Sequence, residues 1–284
     1  MPLVSMTEML QKAKAGKYAV GQFNMNNLEF TQAIIEASEE ENSPVILGVS
    51  EGAMKYMGLE YTVAMAKAAA DKTDIPIALH LDHGSTFDIA MKVIRAGFSS
   101  VMFDGSHHPY EENVAITKKI VEAAHAMGIS VEGELGTIGG TEDDLTVEEE
   151  NARLADPEEA IRFYKETNVD ALAIAVGSAH GLYKGEPKLR YEIIEAVSKE
   201  IDIPLVLHGG SGIPDESIKK AIAFGIGKIN VNTENQVALT KKIREILAND
   251  EKVYDPRKYI GPAREAIKEV VRGKIRLFGS NGKA

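Results

Sequence analysis

The chain has 284 residues, 44% apolar and 26% charged, which allows a sizeable core in one large or two ordinary domains and excludes wholesale disorder. A formal net charge of -11 argues against a general nucleic-acid surface, and with no cysteine any metal site must be built from His, Asp and Glu. No run of about 18 apolar residues and no basic-then-apolar N-terminal leader occurs, so a soluble, cytoplasmic protein that does not span a membrane is expected.

Residues 17–23 read as a short first strand. The polar turn Asn24-Met25-Asn26-Asn27, with its helix-capping residues, leads into a helix over 28–41. A second strand, 44–49, ends at Ser50-Glu51-Gly52, and a helix follows over 59–72. The third strand, 76–81, ends at His80-Leu81-Asp82-His83 and passes through Gly84-Ser85-Thr86 to a helix over 86–96. The fourth, 98–103, ends at Asp104-Gly105-Ser106-His107-His108-Pro109. A helix over 110–127 then has proline at its start and Gly128 after it, the usual asymmetry of helix ends.

A fifth strand over 129–132 closes in Glu132-Gly133-Glu134. The stretch 136–151 breaks the rhythm with Gly139-Gly140 and a run of acids, and neither strand nor convincing helix is expected in its first half. Asp156-Pro157 caps a helix to Thr167, and strands six, seven and eight fall at 170–176, 203–207 and 227–231. Helices are read over 189–200, 214–224 and 235–248, and a last one over 262–278 follows a polar stretch at 254–260. Strands alternating with helices and no composition break imply one domain over 1–284 with a parallel sheet. An open doubly wound sheet is the alternative; eight units in about 250 residues suit a closed (β/α)8 barrel with an added C-terminal helix.

Three strands finish in histidine: His83 after the third, His180 in Gly177-Ser178-Ala179-His180 after the sixth, and His208 in His208-Gly209-Gly210-Ser211 after the seventh. Too far apart for a finger motif, they meet only if the barrel brings strand ends together, where they would offer zinc three imidazoles and an open position. Singly, each reads as an ordinary hydrogen-bonded histidine. His80 is expected inside or just under the site in a supporting or packing role; His107 and His108 could ligate, though Pro109 and the helix start suggest a loop, and His125 falls on a helix.

Asp82 points away from His83 if both remain strand-like, and reads either as an acid–base group or as a residue that orients histidine or caps the next helix. Asp104, Glu132 and Glu134 add carboxylates at strands four and five. Glu132 and Glu134 share one strand face, which sets like charges together unless a cation joins them.

Gly177, Gly181, Gly209, Gly210, Ser211 and Gly212, with Asn230-Val231-Asn232-Thr233, follow strands six to eight. Each glycine alone is a turn residue; together with Lys184 they suit a phosphate site, commonly found near strands seven and eight of barrels. Arg257 reads by itself as a surface arginine.

These motifs resemble the class II, metal-dependent fructose-bisphosphate aldolases over essentially the whole chain: Gly21-Gln22-Phe23-Asn24, His80-Leu81-Asp82-His83-Gly84, Glu132-Gly133-Glu134-Leu135-Gly136, Gly139-Gly140-Thr141-Glu142-Asp143-Asp144, Gly177-Ser178-Ala179-His180-Gly181, His208-Gly209-Gly210-Ser211-Gly212 and Asn230-Val231-Asn232-Thr233. Tagatose-bisphosphate aldolases share nearly all of them.

The resemblance implies reversible cleavage of fructose 1,6-bisphosphate to dihydroxyacetone phosphate and glyceraldehyde 3-phosphate. It makes His83, His180 and His208 the ligands of catalytic zinc, Asp82 the proton donor or acceptor at the aldehyde oxygen, and Glu142, on a closing loop, the base at C3. Asp104 and Glu134 correspond to alternative metal positions, with Glu132 and His80 supporting. The backbones of Ala179, Gly181 and Gly209, with Ser211, Asn232 and Thr233, would hold the C1 phosphate and a monovalent cation (Na+ or K+). Asn24, Ser50, Lys184 and Asn230 would line the pocket. Arg257 would reach the C6 phosphate of a neighbouring subunit's substrate, implying a homodimer or higher homo-oligomer. Some relatives carry glutamate on both sides of the loop position where Thr141 precedes Glu142 here. A noncatalytic sugar-phosphate-binding barrel is the rival of a different class.

Overall fold

The computed structural model describes residues 2–142, 145–147, 152–183, 185 and 187–284, with the backbone alone for Glu142 and 145–147. The barrel is begun by β1 (Val20–Asn24), β2 (Val45–Val49), β3 (Ile77–Gly84), β4 (Ser100–Phe103) and β5 (Ser130–Leu135). The chain then leaves it for β6 (Gly139–Glu142) and β7 (Leu145–Val147), returns as β8 (Ala171–Ile174), and adds β9 (Ala179–His180) beside β6. It finishes with β10 (Leu205–Leu207) and β11 (Ile226–Val231).

Among the described residues, eight parallel strands close in the order β1-β11-β10-β8-β5-β4-β3-β2. Because β1 pairs with both β2 and β11, no edge remains and the open-sheet alternative is excluded. The fold is a (β/α)8 barrel with helices outside and a C-terminal helix, Pro256–Phe278, as expected.

Two apolar layers hold it. The larger lies between strands and surrounding helices and includes Phe23, Leu47, Leu79, Leu81, Ile229 and Val231, all fully buried. A second fills the N-terminal end, where Met6, Met9, Leu10 and Ala13 of the helix Met6–Gly16 meet Val20, Ile46, Ala78, Ala171, Ala173 and Val206. The alanines leave room for the longer plug side chains. Sequence reading assigned nothing to this helix, although the i, i+3, i+4, i+7 spacing of its buried residues and the Ser5 cap mark an amphipathic helix. Between plug and C-terminal rim the interior is polar.

Three further differences have local causes. The stretch after Gly136 does contain a strand, β6, because Gly140 can lie against β9: a Cβ there would sit 2.1 Å from the His180 carbonyl oxygen. A helix at Glu51–Met57, capped by Ser50 Oγ on the Ala53 N–H, went unread. The last helix starts at Pro256, where Asp255 accepts from the Arg257 N–H, so Pro262 lies inside it at the loss of one backbone hydrogen bond.

Leu10→Ala, in the plug and remote from the strands' C-terminal ends, is expected to lower unfolding free energy by about 2–5 kcal/mol in urea titration. A loss under about 1 kcal/mol would contradict the plug's role in the core.

Candidate metal and phosphate site

The site begins with an irregularity in β3. Leu81 pairs with Val101 and Gly84 with Phe103, so three steps on β3 face two on β4, and one residue is extra. His83 takes up the mismatch in the left-handed region, with φ +49°. Gly84 closes the bulge, because a Cβ there would sit 2.5 Å from Leu81 Cδ2 and 2.6 Å from the Met102 carbonyl oxygen. The expectation that Asp82 and His83 face apart assumed regular strand; the bulge removes that condition.

Asp82 is fully buried, with Oδ2 accepting from Asn24 Nδ2 at 3.0 Å and Oδ1 from Asn230 Nδ2 at 3.2 Å. His83 places Nδ1 2.9 Å from Asp104 Oδ2, and its Nε2 lies 2.8 Å from His208 Nδ1. His208 in turn places Nε2 3.0 Å from Glu132 Oε1. Ring centroids separate His83 from His180 by 5.0 Å and His180 from His208 by 5.8 Å. Donor atoms of His83, His180 and His208 lie within 4.8 Å of one another, as do those of His83, Asp104 and Glu134. The barrel thus gathers residues from β3, β4, β5, β9 and the end of β10.

Protonation follows from the contacts. If His83 donates Nδ1–H to Asp104 and His208 donates Nε2–H to Glu132, two lone pairs face each other at 2.8 Å. That arrangement needs a shared proton or a cation. Burial lowers the His208 pKa, so a proton is disfavoured on that ring. Carboxylates holding the outer nitrogens of two imidazoles are the usual second layer of a zinc site, so the donor set fits zinc.

The carboxylates divide in the same way. Burial raises the pKa of Asp104, but hydrogen bonds from His83 and Ser106 outweigh it and hold the group well below the usual range. Burial likewise raises Glu132, and Lys228, with Nζ 2.8 Å from its Oε2, brings it far down. Glu134 is pushed well up, first by burial and then by Asp104. His80 sits below, its Nδ1 2.7 Å from Ser100 Oγ and its Nε2 3.7 Å from Glu132 Oε2.

Beside His180 a cavity is lined by Thr141, Gly181, Gly209, Ser211, Asn230, Asn232, Thr233 and Gln236. Thr233 opens the helix Thr233–Asn249, whose N-terminus favours an anion. Gly209, at φ +65°, is required where it stands, since a Cβ would meet the Ala179 carbonyl oxygen at 2.3 Å. The Ala179 N–H donates to Tyr183 Oη, which donates to the Gly209 carbonyl, so Tyr183 ties the two backbone segments together.

Of the other expected site residues, Ser50 directly follows β2 and is buried as a helix cap, and Arg257, with its side chain 89% exposed, pairs with Asp255 and does not line this cavity. The Glu142 side chain and Lys184 lie outside the described residues. Sequence reading missed Lys228 and Tyr183. The first had a signal, a lysine two residues before Asn230 in an otherwise apolar strand.

A family model for class II fructose-bisphosphate aldolase matches residues 4–283. The chain belongs to this family of carbon–carbon lyases, which is generally zinc-dependent. It is 60% identical over the full length of both chains to a protein of Bacillus subtilis named probable fructose-bisphosphate aldolase. A fructose-bisphosphate aldolase of Staphylococcus aureus is 59% identical, again over both full lengths. Among solved structures, the YdjI aldolase of Escherichia coli K12 superposes with a TM-score of 0.88 at 36% identity, over 99% of each chain. A putative fructose-1,6-bisphosphate aldolase of Coccidioides immitis gives 0.86 at 29%, over 97% of this chain and 96% of that one.

His80 sets a pH dependence. Burial first, then the Lys228 charge, lower its pKa from 6.5 to about 3. Below about pH 6.5 the unfolded chain takes a proton that the folded one refuses, so stability present above that pH is lost as pH falls toward 3. Glu134 acts with the opposite sign, so the variant-minus-wild-type difference carries the test. In the zinc-free protein, His80→Gln is expected to remove about 1.4 kcal/mol per pH unit of acid sensitivity between pH 6 and 4. An unchanged slope in urea titrations would contradict it.

Proposed function

We propose that the protein catalyses reversible aldol cleavage of fructose 1,6-bisphosphate to dihydroxyacetone phosphate and glyceraldehyde 3-phosphate. The observation that carries this reading is the convergence of His83, His180 and His208 beside buried Asp82 and a glycine-backed anion cavity. His83, His180 and His208 would hold zinc, which would supply Lewis acidity to polarise the ketose carbonyl. Asp82, held by two asparagine amides, takes the C4 hydroxyl proton as the C3–C4 bond breaks, and Glu142 delivers a proton to C3. In synthesis both transfers reverse.

Gly181, Gly209, Ser211, Asn232 and Thr233 hold the C1 phosphate, and Asn24, Ser50, Lys184 and Asn230 complete the substrate pocket. With the Ala179 backbone, the same phosphate-holding group would also hold a monovalent cation, Na+ or K+. Asp104 and Glu134 offer a second resting position for zinc, while Glu132 and His80 support the first. Arg257, exposed and outside its own cavity, serves the C6 phosphate bound by a second copy, so the working form is at least a homodimer. Such chemistry belongs in the cytoplasm, where phosphorylated sugars are retained. Among the described residues no helix is long and apolar enough to cross a membrane.

Chelation is expected to abolish turnover and zinc to restore it. Asp82→Ala should keep stoichiometric zinc and lose about 10²–10⁴-fold in kcat. Comparison of kcat/KM on fructose and tagatose bisphosphates, which differ at C4, fixes the substrate. Chelator-resistant turnover with a borohydride-trapped lysine adduct would overturn the mechanism; sugar-phosphate binding without turnover would favour the noncatalytic barrel.

A further inference from the structure

Lys228 is a fully buried lysine inside the barrel of an aldolase. It lies on β11, where Ile229 and Val231 pack into the outer apolar layer, so Lys228 and Asn230 share the inner face. Its partner Glu132 is on β5, and β10 and β8 stand between the two strands, so their 2.8 Å contact spans the interior. The same ammonium donates to Asn230 Oδ1 at 2.9 Å.

Each contact fixes a group beyond it. Glu132 presents its other oxygen to His208 Nε2, which leaves His208 Nδ1 turned toward His83. Asn230, with its carbonyl oxygen on Lys228, turns its amide toward Asp82 Oδ1. Reversed, that side chain would set oxygen against carboxylate. Lys228 thus contacts both branches. An ammonium ion-paired with Glu132 and donating to Asn230 also has no lone pair to offer a carbonyl carbon, which separates this lysine from an amine nucleophile.

We infer that Lys228 is a positioning residue that joins the two halves of the site: one buried ammonium holds Glu132 on the metal-ligating His208 and Asn230 on the acid–base Asp82 at once. The inference rests on the proposed aldolase reading.

Two variants test it, Lys228→Met and the charge-free pair Lys228→Met/Glu132→Gln, each with zinc affinity of the metal-free protein measured by indicator competition and kcat at saturating zinc. Lys228→Met is expected to weaken zinc binding about 10–100-fold and to lower kcat by a similar factor. In the double variant a neutral glutamine can still accept from His208. Its zinc affinity should return to within about threefold of wild type, while kcat stays down at least about tenfold, because Asn230 remains unheld. The double variant buries no unpaired charge and keeps the test readable if Lys228→Met does not fold.

Wild-type zinc affinity and kcat in Lys228→Met would overturn the inference. So would a double variant that recovers neither property, one that recovers both together, or a borohydride-trapped adduct on Lys228. If the wild-type protein binds zinc but shows no aldol turnover, the functional reading fails, and the zinc affinities still decide the Glu132–His208 branch.

Discussion

Two imidazole nitrogens, His83 Nε2 and His208 Nδ1, face each other at 2.8 Å, and each ring's outer nitrogen is held by a carboxylate. Neutral rings so oriented repel unless something positive stands at their meeting point. Asp104 and Glu132 are both held ionised, by hydrogen bonds in one case and by Lys228 in the other, so neither readily surrenders its acceptor role. A shared proton or a cation is therefore called for between the two rings. With His180 brought up by β9, the donor set is that of an open zinc site in a cysteine-free protein.

That arrangement requires a polar barrel interior, and the fold accommodates it by placing its apolar burial elsewhere. The helix Met6–Gly16 seals the N-terminal end over small strand residues, and the outer layer binds strands to helices. Between them Gln22, His80, Glu132 and Lys228 are fully buried. Lone buried charges would destabilise such a layer; the Glu132–Lys228 pair is tolerable because its remaining hydrogen-bonding capacity reaches His208 and Asn230. Apolar burial thus surrounds the strands and seals one end of the barrel, and the candidate site occupies the other.

The barrel was legible because short apolar runs alternate with capped amphipathic helices, and all eight expected strands overlap observed ones. The strand-end histidines were legible because polar residues interrupt those runs at one end. The bulge at His83 was not: nothing in His80-Leu81-Asp82-His83 says which residue adopts a left-handed backbone, since the shift is fixed by pairing with β4. β6 was hidden for a related reason, as its glycines have low strand propensity and are used for close approach to β9. Pro262 misled because proline marks helix starts more often than it lies inside them. Lys228 was visible but passed over, since its meaning depends on Glu132 across the barrel. The family resemblance supplied the named reaction; the residues alone supported only a metal beside an anion pocket.

The proposed mechanism turns on zinc held by His83, His180 and His208 rather than by His83, Asp104 and Glu134. Zinc-edge X-ray absorption of the stoichiometrically loaded, substrate-free protein tests it most directly. Scattering from three imidazoles is expected, reduced by one ring in a His180→Ala variant. A first shell with a single imidazole and oxygen ligands, unchanged by His180→Ala, would place the metal on His83, Asp104 and Glu134 and contradict it.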